Sequence, residues 1–539
     1  MPERIILIGA DKPGLDAVRR YKRSRPDVSA VALYPDDNPL PEFSCMVLDS
    51  FVDHGIDFKE NLRACAVDVD AREVRVRDAV TGAESLMSFD ALIFASGSAP
   101  ARLDVPGETL GSIFRLCDYE DAARLTAKEG ANVVIGSGMN QLLAVSALLS
   151  DEAEEIYVLP HRGTATTAPL SDDLFAMVRH HLVGLGVVFL DDETLVSIEG
   201  EHTARTVVTD KRSIDAVRIV HATPSAPVTA LAEQAGLRLD GDGAVVVGES
   251  LSVGHDGIYA CGGCASFAGG QSERPVPGTS VRSTEGKQAA ALATALEGGS
   301  PNFHVSNAAY AIPLGDLTVS GAGLTLAQAS ECGFNPLSAT VIQFDRAHFM
   351  PDAELMTLEL VFDANGRVHG VQGLGKSGDA LCGRISAVSA ILGSKPSVED
   401  IANLEIAYSP PFASAMDVLN TVGNVAENIL AGTNEGVSAK EFEKLWAERE
   451  SGDCFFIDCR ELGNAEPYVE KHPLHWNHIS QAEIARRLDE VPRGPKIVLL
   501  CNTGARSYEA QITLKAAAYE DVVNVDGGVA AVKMSGVEV

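Results

Sequence analysis

The chain has 539 residues, which at roughly 100–200 residues per domain predicts about three to five domains. It is 46% hydrophobic and 22% charged, an ordinary folded composition, but 75 acidic against 43 basic side chains leave a formal charge of −32, which excludes phosphate backbones and anionic lipid as natural partners. No apolar run reaches the roughly 18 residues of a spanning helix, MPERIILIGA lacks signal-peptide anatomy, and ten cysteines spread along the chain read as thiols of a reducing cytoplasm.

In chain order, RIILIGA predicts a buried strand, GLDAVRRYKRSRP a helix and SAVALYP a second strand, the start of a doubly wound sheet. AVDVDAREVRVRDA predicts short strands, with Asp and Thr-Gly turn signals for a hairpin. FDALIFASGSAP is a strand running into a Gly/Ser/Pro loop. From about Phe114 the pattern restarts with ANVVIGSG, a helix NQLLAVSALLS and EIYVLP, so the chain carries two nucleotide-binding-type α/β units. AVVVG near 245 and GIYACGGCASF return to the first of them. Residues 305–430 mix strands (TVIQF, TLELVFD) with helices, an α+β pattern. The last 100 or so residues form a small α/β unit that begins with the helix AKEFEKLWAER.

The sharpest local signal lies in that last unit. KIVLL ends in Cys501-Asn502-Thr503-Gly504-Ala505-Arg506-Ser507 and opens a helix. A cysteine there faces backbone N–H groups and the positive end of a helix, both of which stabilise a thiolate. Arg506 adds a fixed charge with a fork of donors, and Gly504 permits the tight loop. A phosphatase-type loop uses the same physics. The flanking sequence separates the two: FFIDCRE, HPLHWNHIS and VVNVDGGVAAVK resemble the strands and closing Gly-Gly helix of a rhodanese, a sulfurtransferase, over 437–539. The resemblance implies a persulfide on Cys501 held by Arg506 and the loop amides, with Asp458 and Arg460 structural. Val532 stands where many relatives carry Trp.

Residues 1 to about 430 resemble the flavin-dependent pyridine-nucleotide disulfide reductases, in particular the coenzyme A disulfide reductase and persulfide reductase group. The matching stretches are ASGSAPARLDVPG, ALAEQAGLRLDGDGAVVV, GIYACGG, DLTVSGAGL and LEIAYSPPFASAMD. The resemblance implies an FAD-binding-type domain (1–113 and 245–304), an NAD(P)-binding-type domain (114–244), a dimerisation domain (305–430) and the rhodanese (437–539). It implies FAD, held by Gly9, Gly14, Ser96, Gly97 and Gly262 with Asp36 or Asp37 standing in for a ribose acid. It also implies NADH or NADPH at Gly136 and Gly138, and a homodimer. No metal site is expected.

The cofactor motifs depart from that pattern. Lys12 and Pro13 replace small residues in the first loop, and Pro has no N–H to give a phosphate. Pro35 and Pro160 stand where ribose acids are usual, Gly263 where the flavin's Asp is, and Gln141 in place of a third glycine. His161-Arg162 is either a 2′-phosphate site or a solvated turn. These losses predict flavin that is retained but loosely held.

Cys45 stands where this branch carries its single redox cysteine, which implies a mixed disulfide or persulfide with substrate; a buried, inert thiol is the alternative. Tyr408 in AYSPPF matches a tyrosine that reaches the partner subunit's redox cysteine, or it simply packs. Cys261-Gly262-Gly263-Cys264 has redox or metal spacing, but no second ligand pair follows it. The remaining cysteines, Cys459 among them, read as structural. Two functions follow: a flavin-dependent NAD(P)H reductase of persulfide, polysulfide or CoA-type disulfide sulfur with a rhodanese handling sulfane sulfur, or a sulfur carrier on a degenerate reductase scaffold.

Overall fold

The computed structural model describes residues 1–35, 55–117, 119–161, 169–267, 276–277, 282–301, 303 and 307–539. The chain packs as two units, Met1–Thr167 with Leu190–Ala308, and Ala168–Phe189 with Ala309–Val539.

The first unit is built on a seven-stranded sheet in the order Ile258–Ala260, Ala91–Phe94, Arg4–Ile8, Ser29–Pro35, Ile56–Asp68, Glu73–Asp78, Glu84–Ser88. The strand Arg4–Ile8 is central and parallel to both neighbours, with Ile5 opposite Ala30 and Ala91. Ile5, Ile6, Leu7 and Ile8 are all buried, the continuous apolar run expected of a parallel strand covered on both faces. The helix Lys12–Ser24 starts with Pro at its first turn and inserts Leu15, Val18 and Tyr21 into this core; each such side chain contributes about 1.5–3 kcal/mol. The expected hairpin closes as read: Asp78 accepts the amides of Val80 and Thr81, and Gly82 takes a positive φ. The return strand Ile258–Ala260 joins the main sheet, while Val245–Val247 pairs instead with Ala265–Phe267. The second nucleotide-binding-type pattern gives parallel neighbours in the order Glu155–Pro160, Ala131–Gly136, Arg218–Ala222, Ile113–Arg115.

The second unit holds two sheets. One is antiparallel, ordered Tyr310–Leu314, Leu317–Gly323, Val368–Gly375, Leu355–Asp363, Pro336–Phe344, and shares a core with the helices Gly378–Leu392 and Val418–Leu430. The other is parallel, ordered Gly436–Val437, Val522–Val525, Lys496–Leu500, Cys454–Asp458, Trp476–His478. Its side chains alternate between two cores. Phe456, Val498 and Leu500 meet Phe442, Trp446 and Trp476 on one face, and Ile457, Ile497 and Leu499 meet Ala510 and Leu514 on the other.

Candidate functional site

The strand Lys496–Leu500 carries the chain to Cys501, which is only 2% exposed, and the helix Ala505–Ala516 begins four residues later. Between them Gly504 adopts a φ of +99°, a left-handed conformation that a side chain would strain. That turn directs the Gly504 amide to Cys501 Sγ, at 3.1 Å. The loop carbonyls are drawn the other way: Cys501 O accepts from Val529 N at 2.8 Å and Asn502 O from Ala530 N at 3.0 Å. This anchoring explains the Gly-Gly pair, because a Cβ on Gly528 would stand 2.3 Å from Cys501 O. Carbonyls held behind and a helix N-terminus in front leave the sulfur facing a backbone donor and the positive end of a helix dipole. Arg506 lies in the first turn of the helix, and among the described residues no salt bridge engages it.

Asp458 and Arg460 form a buried fork, with Arg460 Nη2 2.6 Å and Nε 2.9 Å from the carboxylate. Trp476 Nε1 donates to the same carboxylate at 3.0 Å, and His478 Nε2 meets Arg460 O at 2.8 Å. The pair ties two strands together, as the sequence implies. Val532 is fully buried in the same domain core.

In the first unit, Gly9, Gly14, Ser96, Gly97 and Gly262 converge beyond the carboxyl ends of the central strands. A Cβ on Gly9 would stand 2.1 Å from Ala95 O, and one on Gly14 would stand 2.7 Å from the Ala95 Cβ. Both glycines are therefore required for the close approach of turn and helix. A side chain that sequence reasoning passed over controls this cradle. The Asp11 carboxylate caps the helix Lys12–Ser24 by accepting the Lys12 amide at 2.9 Å, and it also accepts the Gly263 amide at 2.9 Å. The Gly262 amide goes to Gln288 Oε1 at 2.7 Å, and a Cβ on Gly262 would stand 1.8 Å from Asp11 Oδ2. The glycine frame fits a dinucleotide, and the Asp11 carboxylate engages two backbone amides at its helix N-terminus, donors of the kind a phosphate uses. Nor has Gly263 room for the usual acid, since its Cβ would meet Ser98 Oγ at 2.9 Å. Cys261 and Cys264 are both buried here, burial pushes both thiols up, and Cys264 Sγ donates to Cys261 O at 3.3 Å.

At the second fingerprint, a Cβ on Gly136 would stand 2.1 Å from Ala222 O, and Gly138 takes a φ of +69° at the start of the helix Gly138–Ser150. Gln141 fits the third glycine's place by folding back, its Nε2 donating to Gly136 O at 3.3 Å. Asn140 ties the same helix to Thr223 O at 2.8 Å. Ser137 makes no side-chain cap to this helix, whereas Asp11 caps the first one. Tyr408 is 57% exposed, with Phe412, Met416 and Phe349 also exposed. Cys45, Asp36 and Asp37 lie outside the described residues, as does Arg162.

Comparison with known proteins covers nearly the whole chain. Residues 4–291 match the pyridine nucleotide-disulphide oxidoreductase model, 311–419 the dimerisation domain of that family and 441–535 the rhodanese-like domain. The chain is similar to an NADH oxidase of Methanocaldococcus jannaschii (24% identity; 77% of this chain, 97% of the relative). It is similar to an NAD(P)H sulfur oxidoreductase (CoA-dependent) of Pyrococcus furiosus (24%; 78% and 99%). Among solved structures, an NAD-dependent persulfide reductase from A. fulgidus superimposes with a TM-score of 0.80 at 25% identity, over 98% of this chain and 99% of that one.

Proposed function

Because the chain belongs to the pyridine nucleotide-disulphide oxidoreductase family and carries its dimerisation domain and a rhodanese-like domain, we propose that it is a flavin-dependent NAD(P)H reductase of persulfide, polysulfide or CoA-type disulfide sulfur. The observation that carries this reading is the Cys501 loop, where one sulfur faces the Gly504 amide at the N-terminus of a helix whose first turn holds Arg506. Sulfane sulfur is accepted there as a persulfide, whose negative charge the loop amides and Arg506 hold. Relatives named for sulfur and persulfide reduction support the substrate class.

FAD is the family's prosthetic group, and when bound it passes electrons from NAD(P)H to sulfur. Gly9, Gly14, Ser96 and Gly97 are the residues that would line it. Gly136 and Gly138 would line the pyridine nucleotide. Cys45, by its place in the sequence, is assigned the mixed disulfide or persulfide with the substrate. Tyr408 and the exposed apolar side chains around it support a homodimer interface. No described helix is long and apolar enough to cross a membrane, and a chain whose proposed chemistry needs free thiols fits a cytoplasmic location.

One observation favours the second reading, a sulfur carrier that does not reduce: the Asp11 carboxylate already engages the Lys12 and Gly263 amides of the glycine cradle. The absorbance spectrum of the protein with added FAD, followed by NAD(P)H oxidation with polysulfide as acceptor, separates the two. A bound-flavin spectrum with polysulfide-dependent oxidation is expected. Cys501→Ser should abolish sulfur transfer from a sulfane donor while leaving the flavin spectrum intact, because an alcohol does not ionise near neutral pH. No flavin signal at high FAD would establish the carrier reading, and transfer that survives in Cys501→Ser would remove the role of the loop.

A further inference from the structure

Cys501 has a second thiol beside it. The strand Cys454–Asp458 runs parallel to Lys496–Leu500 with Asp458 opposite Leu500. The Cys459 amide donates to Leu500 O at 2.7 Å, so the ladder continues past the paired ends and sets Cys459 alongside Cys501. The alternation of the two cores fixes which way they face. Ile457, Cys459, Ile497, Leu499 and Cys501 all belong to one core, whereas Phe456, Val498 and Leu500 belong to the opposite one. The two cysteines thus lie side by side one residue past the paired ends of these strands, where backbones lie about 4.8 Å apart, inside the Cα separation of about 4.4–6.8 Å that a disulfide spans; the Cys459 thiol donates to Ile457 O at 3.9 Å. Both are buried, at 1% and 2% exposure, and both are free thiols.

We propose that Cys459 is a resolving thiol that discharges sulfur carried on Cys501 as sulfide and closes a Cys459–Cys501 disulfide. The proposal rests on the reading of Cys501 as a persulfide carrier. Cys459 sulfur attacks Cys501 Sγ in the Cys501–S–SH form. The Sγ–Sγ bond forms, the bond from Cys501 Sγ to the outer sulfur breaks, and the outer sulfur leaves with the electron pair and the Cys459 proton as hydrogen sulfide. In this step the Cys459 sulfur is oxidised and the outer sulfur is reduced to sulfide, while Cys501 Sγ stays at the disulfide level, so no outside oxidant enters. An external dithiol then restores both thiols.

The environment of Cys459 makes this a slow step. Burial first, then the neighbouring Cys501 and Asp458, push its thiol well above the usual range, against the opposing pull of Arg506. A protonated thiol is a poor nucleophile. The persulfide therefore outlasts an encounter with an acceptor, and internal discharge follows only where none arrives.

The test uses the full-length, reduced protein without NAD(P)H. It is treated with inorganic polysulfide, desalted, sampled over time by alkylation, and mapped by unreduced peptide mass spectrometry alongside a sulfide assay. In the wild type, the Cys501 peptide carrying one extra sulfur should give way to a Cys459–Cys501 cross-linked peptide with matching release of sulfide. In Cys459→Ala the persulfide should last at least about tenfold longer, with no cross-link. Equal persulfide lifetimes in the two proteins, or sulfide release from the wild type without the cross-link, overturn the proposal while leaving the carrier reading standing. No extra sulfur on Cys501 in either protein overturns both. The wild-type cross-link is read without any variant, so a folding defect in Cys459→Ala does not blur the result.

Discussion

The Asp11 carboxylate accepts the backbone N–H of Gly263, 252 residues later in the chain, at 2.9 Å, while also capping the helix that follows Asp11. An anion bound by two amides at a helix N-terminus is the role a cofactor's pyrophosphate plays in such a cradle. If FAD binds through the same two amides, the Asp11 carboxylate competes with its phosphate for them. Asp11→Ala should tighten FAD binding by about tenfold, since the competing carboxylate and its repulsion of phosphate both disappear. The same change should cost about 1 kcal/mol of stability without flavin through the lost cap. Titration of flavin fluorescence and thermal unfolding check the two effects. Weaker flavin binding in Asp11→Ala would mean that the carboxylate holds the cofactor.

Gly528 ties the end of the chain to the Cys501 loop. It has a φ of +57° and no room for a Cβ next to Cys501 O. Gly528→Ala should cost about 1–3 kcal/mol in backbone strain alone, and the clash adds to that. Sulfur transfer should fall with it, because the loop carbonyls lose the anchors that keep the amides on sulfur. A lowered melting temperature together with a reduced transfer rate is expected. An unchanged rate would show that the amide cradle does not depend on this anchoring.

Asp526 precedes the Gly-Gly pair, and its carboxyl is pushed up to about 8 by burial first and then by Glu441, Asp173 and Glu359. In the unfolded chain an Asp titrates near 4. Between these values the folded state holds a proton that the unfolded state has released. Stability is therefore full below about pH 4 as far as this group is concerned, and falls as pH rises toward 8, by at most about 1.4 kcal/mol per pH unit. Asp526→Asn should flatten that slope between pH 5 and 8. Denaturant midpoints across this range measure it, and parallel curves for the two proteins would assign the slope to other groups.

Phe412 and Tyr408 are 71% and 57% exposed and close in sequence. A stable homodimer of this kind buries more than about 2,000 Å² in total. Light scattering at micromolar concentration should give twice the chain mass, and Phe412→Asp should weaken association by at least about tenfold, since a charge enters an apolar contact. A monomeric wild type refutes the dimer.

Much of the molecule was legible locally. Alternating apolar strands and amphipathic helices, Gly9 and Gly14 bracketing a turn, and Cys501 ahead of Gly504 and a helix are all contiguous patterns, and each reflects a few residues of backbone geometry. The structural role of Asp458 and Arg460 came from the family resemblance, whereas their fork and its Trp476 partner came from the fold. The expectation of a weakened flavin site followed from missing residues such as the acid at Gly263. The Asp11 contact to the Gly263 amide did not.

The sequence by itself determined where strands and helices form, which turns need glycine, and which cysteine sits at a helix N-terminus, because these depend on neighbours along the chain. Only the tertiary structure decided that Asp11 meets Gly263, that Cys459 stands beside Cys501, and that Asp526 shares its surroundings with three other acids. Each of those is a contact between segments far apart in sequence. Strand order and register set them, and no local spacing encodes which strand a given strand will lie against.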